Sequence, residues 1–283
     1  MQDRSDTSCS SSQMKLHVTW DAKAVLYLCL CTAASLDLSL TDGSIYPVTR
    51  PVHASRLHKM LASVANSLSP AVRMSHPFKP LEAIHQHLCA FHYNSDDRTR
   101  QVEAHHYCCA SGHGGLHQCL VYDSDGPDAR LIGIEYIVSA DVYKTLDDEE
   151  KKYWHSHKYE VESGMLVVAS KKDQEGPINA TVEKTVMVAL HETFGKTIHT
   201  WQIDRHPHLP LGPPVIMMAF TEDGQVDPDK LAARDKALGI STEDKKKERA
   251  LYLPKTEQPL DADLGERTGE TIQLQIVPAT LKK

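Results

Sequence analysis

Three β-rich runs, residues 101–110, 117–123 and 130–139, follow one another with only SGHGG and SDGPDA between them, and both gaps are turn chemistry. This spacing constrains the fold more than any other feature, because it predicts an antiparallel meander at the centre of the molecule. Elements of mixed type surround it. Leu81, Ile84, Leu88 and Phe91 recur at helical spacing, which predicts a short helix over residues 81–91 with His85 and His92 on one side. Ser139 is placed to cap a short helix, and Asp147 with Glu150 three residues later makes a start resembling a capping box. Residues 159–169 read as a strand, 178–194 as a helix, 197–203 as a strand, and 215–221 as another after the rigid LPLGPP turn. Asp227, Pro228 and Gly239 mark both ends of a helix over 228–238. Residues 272–277 read as a closing strand. The expected fold class is α+β, a mainly antiparallel sheet with flanking helices in a single domain.

That domain is expected to span residues 70–283, behind a poorly ordered N-terminal extension, residues 1–69. The extension starts Ser-rich and polar, then carries an apolar run over residues 24–36, AVLYLCLCTAASL, which is too short to cross a bilayer as a helix. No transmembrane segment is expected. Asp3, Asp6 and Asp21 around that run also depart from a secretory signal. Pro47, Pro51, Pro70, Pro77 and Pro80 mark residues 42–80 as a lead-in, with one helix near residues 55–67. With 31 basic against 38 acidic residues, a formal charge of −7, nucleic acid is not an expected partner, because tight binding to a polyanion needs clustered Lys and Arg. The Lys245–Lys247 run sits among acidic residues and reads as a solvated face. Seven cysteines form an odd set without the spacing of a disulfide scaffold, which points to a reducing, cytoplasmic setting.

Histidine carries the chemical signal: seven of the seventeen lie between His85 and His117. In QVEAHHYCC, strand alternation puts Glu103, His105 and Tyr107 on one face and His106 and Cys108 on the other. Glu103 and His105 can then supply two ligands to one divalent metal ion, zinc or iron, with a third from HSH (His155, His157) or from His199 in KTIHTW. The candidate metal set is Glu103, His105, His157 and His199, with Tyr107, Trp154 and Trp201 as pocket walls. The plainer reading is that these are hydrogen-bonded structural histidines. Sharper motifs fail: His191 and Glu192 begin a metalloprotease pattern, but Gly195 stands where the second histidine belongs. SGHGGLH lacks the context of a phosphate loop, no G-x-S-x-G elbow occurs, and Cys108, Cys109 and Cys119 lack paired C-x-x-C spacing.

The strings EAHHYC (103–108), QCLVYDS (118–124), ARLIGIEYIVS (129–139), WHSHKYEVESGMLV (154–167) and FGKTIHTWQIDR (194–205), followed by PLGPP (210–214), together resemble the oil body-associated protein family. The likeness runs over roughly residues 75–280 and leaves residues 1–70 out. It implies association with seed oil bodies and a role in their size and stability, and it supplies no reaction, cofactor or catalytic residue. Nothing in the chain is similar to the long apolar hairpin of an oleosin, so the expected contact is peripheral, with a lipid-droplet surface or a droplet protein. Two function classes follow. One is a non-enzymatic, peripheral lipid-droplet protein of unknown molecular activity; the other is a metal-dependent enzyme using a His/Glu site on an unknown substrate.

Overall fold

The computed structural model describes residues 75–110, 115–170, 177–257 and 261–282, with 259 and isolated positions before 75. The N-terminal extension with its apolar run, and nearly all of the helix expected near residues 55–67, lie outside the described residues. The described residues belong to the unit Thr49–Lys283.

Eight strands alternate with short helices: β1 (Gln86–Asn94), β2 (Asp97–Ala110), β3 (His117–Tyr122), β4 (Leu131–Ser139), β5 (His155–Ser156), β6 (Val167–Val168), β7 (Thr193–His199) and β8 (Val215–Met218). Every pairing is antiparallel. The expected meander is present as β2, β3 and β4. Beyond it, the order β2-β3-β4-β7-β8-β1 returns to its start because β1 also pairs with β2, so the sheet closes into a six-stranded barrel. Closure leaves these strands without a free edge to cap. β8 spans only four residues. β5 continues its pairing along β7, and β6 does so along β1.

Eight helices cover the barrel among the described residues: α1 (Lys79–Glu82), α2 (Ala140–Lys144), α3 (Asp148–Lys151), α4 (Lys158–Ser163), α5 (Pro177–Leu190), α6 (Pro228–Leu238), α7 (Thr242–Arg249) and α8 (Leu264–Thr268). Their starts follow the capping chemistry expected of the sequence. Ser139 accepts from Val142 N, Asp147 from Glu150 N, and Asp227 from Asp229 N and Lys230 N, while Gly239 closes α6 at φ 72°. Two arginines fix α6 and α7 to the segment after α4. Arg234 donates to the Met165 carbonyl, and Arg249 donates to the Val161 and Leu166 carbonyls and to Glu183.

Three expected elements differ. Residues 81–91 do not form a helix: α1 ends at Glu82 and β1 begins at Gln86, with seven consecutive buried residues from Leu88. Burial of both faces erased the alternation that marks a strand, and the apolar run imitated a helical stripe. Residues 159–169 hold helix α4, then Gly164 at φ 85°, then the two-residue strand β6, where a single strand was expected. At Gly164 a Cβ would meet the Thr242 carbonyl at 2.4 Å, so α7 packs where only glycine fits. Residues 272–277 run without regular structure, although Gln273 bonds to Asn94 and to the backbone of Ile216.

Register assigns the faces. On one face Leu88, Ala90, His92 and Asn94 of β1 stand beside His106, Ala104 and Val102 of β2, then Cys119 and Val121 of β3, Glu135 and Ile137 of β4, and Gly195, Thr197 and His199 of β7. Side chains of this face touch across strands that are not neighbours, such as His106 with Glu135 over β3. This is therefore the barrel interior. Cys108 and Cys119 are also on it and form a disulfide between β2 and β3. That pair is one disulfide where the cysteine spacing predicted no disulfide framework.

Candidate metal centre

Glu135 sits in the middle of β4 with 2 % of its surface exposed. One carboxylate oxygen lies 2.8 Å from His106 Nε2 and 3.6 Å from His92 Nε2; the other lies 3.0 Å from His157 Nε2 and 3.7 Å from His155 Nε2. His199 joins through His92, at 3.2 Å between Nε2 and Nδ1. All five imidazoles are buried. They come from β1, β2, β5, the turn before α4, and β7, so the set exists only once the barrel has closed.

The hydrogen-bond network fixes one tautomer. Thr193 Oγ1 donates to the Leu190 carbonyl at 2.7 Å, so its contact with His157 Nδ1 at 2.8 Å must be accepted from an Nδ1–H. A neutral His157 therefore turns the Nε2 lone pair toward a carboxylate oxygen 3.0 Å away. Two acceptors at that distance need a proton or a cation between them. His155 has both ring nitrogens without a partner, and Thr197 Oγ1 and His106 Nδ1 are likewise unpartnered. Gly195 supplies the space: a Cβ there would lie 2.2 Å from Glu135 Oε1, 2.7 Å from His155 Nε2 and 2.8 Å from His157 Nε2. Any side chain at this position would collide with three donor atoms, so only glycine lets Glu135, His155 and His157 converge against the backbone of β7.

Electrostatics favour the same reading. Burial alone raises the Glu135 carboxyl, but the imidazoles of His106 and His157 outweigh it and hold the group well below the ordinary carboxylate range. Burial lowers His155 and His199 to about 3 and holds His92 well below its ordinary range, so these rings are neutral and offer lone pairs near pH 7. Glu135 is thus a buried anion among imidazoles, and such a charge needs a compensating cation, whether a proton on one of the rings or a metal ion. Glu160 faces the same interior with Oε1 unpartnered, and burial together with Glu135 pushes it well above the ordinary range, so it carries its proton. A void of about 10 Å³ lies between Glu135, His106, His157 and Glu160, roughly room for one water molecule.

The four residues expected to share one site are divided by the barrel wall. His157 and His199 lie inside. Glu103 and His105 lie on the outer face of β2, 3.0 Å apart, with Cys89 of β1 beside them. Sequence reasoning missed Glu135, His92 and His106 as partners of the inner pair and passed over His155. The available signal was Glu135 itself, a lone carboxylate inside the apolar strand LIGIEYIV. The three aromatic residues expected to wall one pocket pack in separate places. Tyr107 stacks on His87, Trp154 joins Val138, Tyr143 and Phe194, and Trp201 packs near Val121 and Ile132.

A family model described as a protein of unknown function, DUF1264, matches residues 78–252. The chain is 43% identical over 199 residues to oil body-associated protein 1A of Zea mays, which covers 70% of this chain and 79% of that one. It is 42% identical over 188 residues to oil body-associated protein 1B of Arabidopsis thaliana, covering 66% and 73%. With oil body-associated protein 2A of Zea mays it shares 38% over 208 residues, covering 72% and 79%. No solved structure matches.

Proposed function

We propose, from the premise that this chain belongs to the oil body-associated protein family, that it is a peripheral lipid-droplet protein whose barrel is built around one buried divalent metal ion. The observation that carries the metal is the convergence of His92, His106, His155 and His157 on Glu135, packed against Gly195 where no side chain fits. A set of imidazoles with one carboxylate suits zinc or iron. The void beside Glu135 has room for about one water, which supports a metal that holds the fold over one that turns over a lipid-sized substrate. Because the ligands come from separate strands, binding the ion stabilises the closed barrel. A chelator should therefore lower the unfolding temperature of the purified chain by several degrees, and zinc or iron should restore it. No shift in either direction would refute the metal.

Droplet association rests on the names of the relatives and on exposed apolar side chains late in the chain. Ile276, Val277 and Leu281 stand open to solvent in the irregular segment after α8, and no helix among the described residues is long and apolar enough to cross a membrane. Such a segment can enter the packing defects of a lipid monolayer with little help from charge. The chain should float with triacylglycerol droplets coated in phospholipid, and Ile276→Glu with Leu281→Glu should leave it in the aqueous layer. Equal flotation of the double variant would rule out this segment as the contact.

A further inference from the structure

We propose that Cys89, Glu103 and His105 form a second metal site, on the outer face of the barrel, which takes a thiophilic ion of the zinc type. It goes beyond the barrel centre and shares no ligand with it. β1 and β2 place Cys89 directly opposite His105 and Phe91 opposite Glu103, so the three donors are cross-strand neighbours on one face. Cys89 Sγ lies 3.7 Å from Glu103 Oε1 and 3.9 Å from His105 Nε2, and His105 Nε2 lies 3.0 Å from Glu103 Oε1. The ligand atoms all lie within 4.8 Å of one another. A single ion can sit among them after small rotations of the side chains.

The surroundings suit an ion. Cys89 and His105 are buried, whereas the Glu103 side chain is about one-third exposed, so the ligand set is reached from solvent along its Glu103 side. His105 has an outer partner, since its Nδ1 lies 3.0 Å from His87 Nε2. Metal-ligating imidazoles characteristically use the second nitrogen in this way, donating Nδ1–H while Nε2 binds the ion. His87 in turn stacks on Tyr107 at 4.3 Å, which fixes its ring. One cation lies near, Arg234, whose guanidinium reaches the Cys89 thiol as well as Asp235, Thr242 and the Met165 carbonyl. Its charge is offset by Asp235, and the thiolate and carboxylate remain to neutralise a divalent ion. On binding, the metal–sulfur bond replaces the S–H bond and the thiol proton leaves to solvent; no electron moves.

Cobalt(II) added without reductant to the tag-free full chain, so that the Cys108–Cys119 disulfide stays intact, tests this without reference to activity. Thiolate ligation gives an intense near-ultraviolet sulfur-to-cobalt charge-transfer band, which a site of imidazoles and carboxylate cannot give. The band should be present in the parent and absent in Cys89→Ser. Glu103→Gln, a change at a position about one-third exposed, should weaken cobalt binding by more than about tenfold while keeping the fold. Glu135→Gln should leave the band intact, so loss of the barrel centre and loss of this site are read separately. An absent band in the parent, or an unchanged one in Cys89→Ser, would overturn the proposal.

Discussion

Glu135 is the one carboxylate in a strand that otherwise reads as apolar, and its position decides what its neighbours must be. The alternation of β2 was legible: Glu103 and His105 do share a face, and His106 does point the other way. What could not be read was which face was the interior, because that depends on closure of strands from opposite ends of the domain. Gly195 shows the same dependence. In the sequence it is the residue that breaks a metalloprotease pattern, whereas in the barrel it is the position where a side chain would collide with three donor atoms. Gly195→Ala should therefore remove the bound metal and destabilise the fold by about 1–3 kcal/mol through overpacking, measured by metal content and chemical denaturation. Unchanged metal content would contradict the assigned position. Glu160 gives a pH prediction. Burial, then the nearby Glu135, raises its folded pKa above the ordinary 4.5, so its contribution to stability is present at low pH and is lost as pH rises through the folded value. Glu160→Gln should match the parent in unfolding temperature near the ordinary carboxylate pKa and exceed it increasingly toward neutrality. Parallel curves for the two proteins would show that Glu160 finds a partner for its charge.

At the scale of elements, the caps and turns were the legible part. Asp227, Pro228 and Gly239 bound α6 where the sequence puts them, because capping is local chemistry that needs no knowledge of the rest of the chain. β1 was illegible for the opposite reason. Its inner face lines the barrel and its outer face is also covered, so burial on both sides hides its period of two. The disulfide was illegible too, since Cys108 and Cys119 are eleven positions apart and only strand register brings them opposite each other. It ties β2, which carries His106, to β3, whose Cys119 pairs with Glu135 on β4. Cys119→Ser should cost about 2–4 kcal/mol, as loss of a cross-link of this loop length usually does. Calorimetry with and without reductant checks it: the parent should lose several degrees on reduction and the variant should not respond. A parent insensitive to reductant would mean that the bond adds nothing to stability.

For the whole molecule, the α+β class with a mainly antiparallel sheet was readable from three strands and two turns, and the barrel was not, because its closing contacts join β1 to β2 and β8. The meander predicts its own pairings, while β7 and β8 enter through long connections that carry no register signal. Residues 70–283 are expected to fold without residues 1–69. A chain starting at Pro70 should unfold within a few degrees of the full-length protein, and a drop of many degrees would place the extension against the core. The central proposal is that a metal ion at Glu135 holds the closed barrel together. Elemental analysis of the tag-free chain, purified without chelator and compared with Glu135→Gln, addresses it most directly. The account predicts zinc or iron at or above one ion per chain in the parent, and one ion fewer in the variant at an unchanged circular dichroism spectrum. A parent free of transition metal, or a Glu135→Gln variant that keeps the parent's full complement, would contradict it.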